Sequence, residues 1–318
     1  FMSKKKSNTI QTSMCSFLVK KKLNVFNLCE PGKTNWKTDI NKSSVIKQIK
    51  RPRLITFTSD IDIEDISNYG RREFNYQKIS LLKSNIQKAV RRNLPDVAIS
   101  SACELIRFKT GLTQFLRRFC IIIIEDKFDC YKQVANHYNT LVWMMATEKG
   151  WSNWLNWLLG LLYFICNKKY KYVNHTDEIK YIWSDNQYSC ALLLRVFYGG
   201  MKGDMILLKN SAKIIEKIKE NDLNDSTQEF KLIKPNYELK IIKASVDFHC
   251  VPGIIKNIMN KHHNYTSNNI KKAIWDYSSS IRFDCENSKP NNLWKDIRRT
   301  VSNFQKWYIS NLSYKEFN

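Results

Sequence analysis

The sequence has 318 residues, of which 52 are Lys or Arg and 29 are Asp or Glu, so its formal net charge is +23. Hydrophobic residues make up 43% of the chain, which suits a folded core and excludes a disordered tail. So large a basic excess opposes a compact state unless an anionic partner offsets it. We therefore expect nucleic acid as the partner, ahead of an anionic membrane surface. The small numbers of Gly (9) and Pro (6) argue against a turn-rich β-sandwich and favour long helices.

The nine cysteines are scattered along the chain, and no two of them form a C-x-x-C pair. Such a set is typical of free thiols, so we expect a reducing, intracellular compartment, cytoplasmic or nuclear. The N-terminal stretch FMSKKKSNTIQTSM lacks the continuous apolar core of a secretory signal. The aromatic-rich run Trp151–Cys166 is shorter than the roughly 20 apolar residues of a membrane-spanning helix. We expect a buried core helix there and no membrane span.

Residues 1–57 contain 13 Lys or Arg and only two acidic residues, with few apolar residues between them. This composition predicts a basic, loosely structured arm with a short strand at Leu23–Leu28. The turn Gly32–Thr34 ends like a phosphate-binding loop, but the full signature needs a glycine where Asn27 stands. We interpret it as an ordinary turn.

An acidic patch interrupts the basic sequence within residues 58–78, where Asp60, Asp62 and Glu64 alternate with apolar residues. Clustered carboxylates can hold a divalent ion for phosphodiester cleavage, so a metal-dependent nuclease is one alternative. The more ordinary interpretation is the start of a helix, with Ser59 or Asp60 as its cap and acidic residues in its first turn. No second carboxylate cluster stands at a recognisable spacing, so the helix start is favoured.

The clearest helical periodicity begins at Ile79. Apolar residues recur from Ile79 to Val90 at steps of three and four, which predicts an amphipathic helix. Lys88, Arg91 and Arg92 fall on the opposite side of this predicted helix. We therefore expect one face to pack into a core and the other to face an anion.

A break follows at Asn93–Asp96, because the residue before a proline resists the helical conformation. Asp96 is the predicted cap of the next helix, which extends over about Val97–Phe108. Gly111 is the predicted stop of that second helix, since glycine is common just beyond a helix C-terminus.

A third helix carries Arg117 and Arg118 and closes at Asp126. The two stretches Ile86–Arg92 (IQKAVRR) and Arg117–Asp126 (RRFCIIIIED) resemble the helical collar of clamp-loader-like AAA+ ATPases of the MgsA/RarA and WRN-interacting type. The resemblance covers about a quarter of the chain, from Ile79 to near Phe164. It implies a helical fold that works near nucleic acid. It does not imply ATP hydrolysis, because only about 45 residues separate the collar-like stretch from the glycine turn, too few for a nucleotide-binding domain.

The middle of the chain continues with helical patterns over Tyr131–Cys166 and Ile179–Phe197. His137 lies on an apolar face, where a hydrogen-bonded core histidine is more common than a ligand. Gly199–Asp204 is dense in glycine, but its spacing matches no phosphate-binding signature, so it predicts a turn between helices. Asn221–Glu229 is polar and predicts a linker.

In the C-terminal third, Asp247, His249 and Cys250 lie within four residues. They allow a metal site, a cysteine nucleophile with a histidine base, or capping and packing roles. Neighbours in sequence rarely point at one ion or at each other, so capping and packing are favoured. His249 also remains a candidate phosphate contact.

Helices are predicted from near Pro252, over Ile270–Ile281, and after Asn291 as a cap. The last of these has the most regular apolar stripe in the chain, from Leu293 to Leu312. Its polar side carries four cations, Lys295, Arg298, Arg299 and Lys306.

These patterns together predict an all-α fold, a multi-helix bundle resembling a clamp-loader collar. The predicted parts are the basic arm 1–57, a collar-like helical domain 58–220 and a C-terminal helical subdomain 230–318. No cofactor or metal is expected, and no catalytic residue is identified.

The predicted function is that of a non-enzymatic nucleic-acid-binding accessory protein in DNA replication, repair or genome packaging, for example of a virus with an AT-rich genome. Arginine-rich helix faces would contact the phosphate backbone of DNA or RNA. The candidate binding residues are Lys83, Lys88, Arg91, Arg92, Arg117, Arg118, His249, Lys295, Arg298 and Arg299. The alternatives are the nuclease described above and an oligomeric scaffold that assembles with itself or with replication proteins.

Overall fold

The structure is a computed structural model that describes most of the chain after residue 69. The described residues are 70–147, 149–150, 154–169, 186–218, 220–223, 238–280 and 290–312, with short strands at 27–28, 36–37, 56–58 and 64–65. Ten α-helices make up this part of the chain, and its strands are only two or three residues long. The all-α prediction is confirmed.

Among the described residues, seven helices lie before residue 220 and three after it. The first seven are α1 (Tyr76–Arg91), α2 (Pro95–Ile106), α3 (Gly111–Asp126), α4 (Tyr131–Thr147), α5 (Trp154–Cys166), α6 (Gln187–Phe197) and α7 (Lys202–Glu216). The last three are α8 (Gly253–Met259), α9 (Ser267–Ile274) and α10 (Asn292–Ser310). Single turns of 3₁₀ helix lie at Phe128–Cys130, Glu220–Leu223 and Lys243–Ser245, and a π-helical turn at Trp275–Ser279 follows α9 directly.

The described strands form two small antiparallel sheets. Strands β1 (Asn27–Leu28) and β2 (Trp36–Lys37) flank β3 (Thr56–Thr58), and β4 (Glu64–Asp65) pairs with β5 (Lys149–Gly150). The predicted strand at 23–28 is therefore present at its last two residues, and its first four lie outside the described residues.

Side-chain caps set the start of several helices. The Asn291 side chain accepts a hydrogen bond from the Trp294 backbone N–H at 2.8 Å, which confirms the predicted cap of α10. The predicted cap at Asp96 is wrong, because α2 begins one residue earlier, at Pro95. Proline suits the first helical position, since the N–H that it lacks would have no partner there. Asp96 lies instead in the first turn, where its charge complements the helix dipole.

The junction between α2 and α3 differs from its prediction. Thr110, and not a glycine, takes the left-handed conformation, with φ of 63°. Gly111 begins α3, and its N–H donates to the Phe108 carbonyl at 2.7 Å. A Cβ at position 111 would lie 1.9 Å from the Leu105 carbonyl oxygen. Glycine is therefore required here for the close approach of two backbone segments.

Contacts divide the chain into two compact units, each made of three segments. The first unit comprises Phe1–Ser67, Ile123–Trp154 and Lys171–Glu229; the second comprises Asn68–Ile122, Leu155–Tyr170 and Phe230–Asn318. The division into 1–57, 58–220 and 230–318 stays a prediction.

In the first unit, α4, α6 and α7 pack through buried aromatic and small polar side chains. The Tyr188 hydroxyl donates to the Asn136 side chain at 2.9 Å, and the Ser189 hydroxyl to the Ala212 carbonyl at 3.0 Å. His137 is buried, as predicted, and burial lowers its pKa to about 3, so it is neutral at physiological pH. Positive φ at Gly199 and Gly200 forms the predicted turn between α6 and α7.

In the second unit, α1 and α2 pack against each other, and α8, α9 and α10 enclose a core of their own. This core contains Ile254, Ile255, Ile258, Ile270, Ala273, Ile274, Trp294, Ile297 and Val301. The residues that α10 contributes recur at steps of three and four, as its stripe predicts. The opposite side of α10 is left for solvent.

The apolar run of α5 forms a core helix of 13 residues, as predicted. Leu158, Leu161, Leu162 and Ile165 on it are fully buried. Among the described helices, none combines the length and the hydropathy that crossing a membrane requires.

The close approach at Gly111 gives a stability prediction. We expect Gly111→Ala to lower the free energy of unfolding by about 2–3 kcal/mol, because the new methyl group would overlap the Leu105 carbonyl. Gly203→Ala in α7 is the matched control: nothing lies within 4 Å of its Cβ position, and we expect a gain of about 0.5–1 kcal/mol. Urea denaturation measures both, and equal effects would contradict the steric explanation.

Candidate functional site

A buried polar centre in the second unit connects α1 to the segments that follow residue 238. The Asn85 amide nitrogen donates to the Ser101 hydroxyl and to the Lys240 carbonyl, each at 2.7 Å. Its oxygen accepts from the Ile242 N–H at 3.0 Å and the Ser245 hydroxyl at 2.6 Å. Asn85 thereby makes four hydrogen bonds, one to α2 and three to the segment Lys240–Ser245.

Beside it, the Lys88 ammonium lies 3.1 Å from the Asp247 carboxylate, and both side chains are buried. The carboxylate also accepts from the His249 backbone N–H at 2.9 Å and the Ser279 hydroxyl at 3.2 Å. Burial alone would raise the pKa of Asp247, but the Lys88 charge and the contacts with His249 outweigh it and hold the pKa well below its usual range. The Asp247 carboxylate is therefore ionised at neutral pH.

The expectation that Lys88 and Arg91 face an external anion is wrong. Both are buried, and Arg91 donates to the Ser279 carbonyl at 3.3 Å beside the Trp275 ring. The half-buried Arg92 donates to the Ser278 carbonyl at 3.1 Å. The physical reason is that the π-helical turn presents backbone carbonyls to the end of α1, and these acceptors take the guanidinium donors. Neither Lys88 nor Arg91 is accessible to a phosphate backbone.

The cysteine at position 250 is not an activated nucleophile. Burial, and then the nearby Asp247 charge, raise the pKa of the Cys250 thiol to about 12, and the thiol donates to the Ser245 carbonyl. Packing and hydrogen bonding thus account for this residue.

The His249 side chain is 45% exposed, with its Nδ1 3.5 Å from Asp247, so it lies at the surface of the polar centre. Its contact with phosphate stays a prediction.

Within the described ranges, no group of three or more His, Cys, Asp or Glu side chains is arranged to hold a metal ion. Asp60 and Asp62 of the acidic patch lie outside those ranges. Glu64 begins β4 in the pairing with Lys149–Gly150. The nuclease alternative therefore rests on the sequence alone. The six cysteines in the described part of the chain form no disulfide bonds; they are residues 103, 120, 130, 166, 190 and 250.

A second cationic feature of this unit, the Lys83 cluster, comprises Lys83, Gln114, Arg117 and Arg118. The Lys83 ammonium donates to the Gln114 side chain at 3.0 Å, which joins α1 to α3. Burial, and then the charges of Arg118 and Arg117, lower the pKa of Lys83 to about 8. Both arginines are half-buried. The cluster concentrates positive charge on a partly accessible surface, where the sequence predicted binding residues.

The α10 cation stripe is composed of four exposed residues, Lys295, Arg298, Arg299 and Lys306. At 100° per residue, Lys295, Arg299 and Lys306 fall within about 40° of one another and span about 16 Å along the helix, and Arg298 borders this sector. No ion pair involves any of the four within the described residues. The nearest acidic residue in sequence, Asp296, accepts a hydrogen bond from the Tyr265 hydroxyl. The sequence prediction of an exposed polar side is confirmed.

Other exposed residues of the region were not among the predicted binding residues. Lys256, Lys261 and Lys271 are exposed on or beside α8 and α9. Trp307 is 58% exposed on α10. The exposure of Trp307 could have been predicted from the sequence, because this residue lies outside the apolar stripe of α10 and directly follows Lys306.

Comparisons of this chain with protein-family models, with curated proteins and with solved structures found no match. The resemblance to a clamp-loader collar therefore stays a prediction.

The buried ion pair gives a stability prediction. Asp247→Asn would leave Lys88 buried without a counter-charge, and we expect a loss of about 3–5 kcal/mol at pH 7. The double variant Lys88→Met/Asp247→Asn should recover most of this loss. Because the pKa of Asp247 is lowered in the folded protein, its contribution is complete above about pH 4 and disappears as the pH falls through the folded value. Denaturation curves of the three proteins at several pH values measure this, and a double variant as unstable as the single one would contradict it.

The Lys83 cluster gives a stability prediction of the opposite sign, because removing the charge of Lys83 should stabilise the protein. Between pH 8 and 10.5 the folded state binds fewer protons than the unfolded state, so stability rises with pH across that interval. We expect Lys83→Met to stabilise the protein at pH 7 by about 1–2 kcal/mol, a value reduced for the partial solvent access of the side chain. The gain should vanish near pH 10.5, and the exposed Lys109→Met should show none. A Lys83→Met variant that is less stable than the wild-type protein would contradict charge repulsion between Lys83 and the two arginines.

Proposed function

We propose that this chain is a nucleic-acid-binding protein that contacts the phosphate backbone through the α10 cation stripe. The observation that carries the proposal is the exposure of four cations on one rigid helix, without an ion pair in the described residues. Lysine and arginine side chains in this state are available to phosphates, and arginine can form two parallel hydrogen bonds to one phosphate.

The charge balance of the surrounding region supports the proposal. Residues 238–280 and 290–312 contain ten Lys or Arg and four Asp or Glu. Asp247 is buried against Lys88, and Asp276 pairs with Lys272 at 2.8 Å. Two of these four acidic residues are thus paired with lysines of the protein, whereas most of the basic residues are exposed. Phosphate contacts of this kind give affinity without reading base sequence.

Other parts of the second unit and the arm support the same partner. In the Lys83 cluster, burial and the charges of Arg118 and Arg117 lower the pKa of Lys83, and an anion bound nearby would favour the charged form of this lysine. Residues 1–57 carry a further 13 basic residues in the sequence. An accessory role in replication, repair or genome packaging accords with the collar-like stretch, and assembly through helices is the corresponding proposal for oligomers.

Removing the stripe should test the proposal directly. We expect the variant Lys295→Ala/Arg298→Ala/Arg299→Ala/Lys306→Ala to bind oligonucleotides at least tenfold more weakly in 150 mM salt. The slope of log K against log salt should decrease by up to about 3–4 for a duplex, since each lost phosphate contact removes about 0.9. Fluorescence anisotropy over a salt series measures both quantities.

The control variant removes the same charge from exposed lysines elsewhere, Lys109, Lys132, Lys213 and Lys217. It should retain affinity to within about threefold, because a surface charge that makes no phosphate contact is screened over about 8 Å at physiological salt. Equal losses in the two variants would mean that only net charge matters, and would contradict a defined interface. Tight binding to anionic vesicles without binding to oligonucleotides would contradict the proposal and would indicate an anionic membrane surface as the partner.

A further inference from the structure

An exposed tryptophan lies beside the α10 cation stripe. Trp307 is 58% exposed and directly follows Lys306. At 100° per residue it lies about 80° around the helix from Arg299. The exposed Asn303 falls in the sector between them. An apolar ring, a polar amide and cations therefore share one accessible side of α10.

The tryptophan is held on an ordered support. Its ring lies 5.6 Å from the ring of Phe304, which packs against the core of the C-terminal helices. Its carbonyl accepts hydrogen bonds from the Ser310 hydroxyl at 2.9 Å and the Asn311 side chain at 2.7 Å. The last turn of α10 is thereby fixed, and binding at the exposed ring face would require little ordering of the protein.

The chemistry of this surface selects one class of partner. A flat π-face next to cations matches a nucleobase next to its phosphates, and such stacking is independent of base identity. In a duplex the base faces are already stacked on each other, so the ring cannot reach them without unstacking. A single strand offers bases that are free to stack.

We propose that Trp307 is a base-stacking residue and that the stripe with Trp307 binds single-stranded nucleic acid in preference to a duplex. This inference rests on the proposed function. Lys306 and Arg299 contact the backbone of the strand, the indole ring of Trp307 stacks on a base, and Asn303 is placed to hydrogen-bond a base edge or a sugar. No sequence preference is expected from the stacking contact.

Three substitutions at one position separate stacking from simple apolar contact. Trp307→Leu keeps an apolar side chain without a π-face, Trp307→Phe keeps a smaller ring, and Trp307→Ala removes both. We expect affinity for a mixed-sequence single-stranded 20-mer to fall about 5- to 100-fold in the Leu and Ala variants, and substantially less in the Phe variant. Affinity for the corresponding duplex and the salt slope for the single strand should stay unchanged, because no phosphate contact is removed. Anisotropy titrations measure these, with thermal unfolding as the check that all three variants fold.

The outcomes distinguish this inference from the proposed function. If the alanine variant of the cation stripe loses affinity for the single strand and Trp307→Leu does not, base stacking by Trp307 is overturned. The proposed nucleic-acid binding would still be supported by that result. Equal losses for single strand and duplex in Trp307→Leu would overturn the single-strand preference. A wild-type protein that is dimeric by light scattering, with Trp307→Ala monomeric, would assign the ring to contact with a second copy and overturn the inference.

Discussion

The ion pair between Lys88 and Asp247 is the interaction on which the architecture of the second unit depends. A lysine ammonium and a carboxylate removed from water lose hydration worth several kcal/mol each, so neither is tolerated in a core alone. Here the Ser279 hydroxyl and the His249 backbone N–H complete the coordination of the carboxylate. Asn85 adds four neutral hydrogen bonds one helical turn away. Because each group requires the others in place, the network specifies one arrangement of α1 against the segments after residue 238.

The same network explains why basic residues of similar sequence context have opposite roles. Arg91 and Arg92 end α1 where the π-helical turn offers the free carbonyls of Ser278 and Ser279, and the guanidinium groups bind there. Arg298 and Arg299 occupy the middle of α10, where the neighbouring turns bond within the helix and offer no carbonyl. The stripe is left to solvent for that reason. An arginine pair is thus a surface for phosphate or a structural clamp according to which backbone acceptors the fold brings near it.

Local regularity decided what could be predicted from the sequence. The stripe and cap of α10 and the apolar run of α5 were predictable, because periodicity and capping act within a few residues. The burial of Lys88 was not, because its partner Asp247 stands 159 positions further along the chain and no local pattern links the two. The left-handed Thr110 was missed for a similar reason: Gly111 is needed for contact with Leu105, so the glycine was unavailable for the turn. The predicted exposure of the cations was accordingly confirmed on α10 and wrong for Lys88 and Arg91 at the end of α1.

Positive charge that a fold concentrates on its surface links the stability of the fold to the binding of anions. The exposed cations of α10 lower stability only slightly, since water and salt screen them. Lys83 is different, because its surroundings exclude part of the solvent and bring two arginines close. A polyanion at such surfaces would bind the folded state in preference to the unfolded one and would stabilise it by mass action. Under the proposed function, binding would relieve repulsion that folding creates, and the basic excess that opposes a compact chain would contribute affinity for a polyanion.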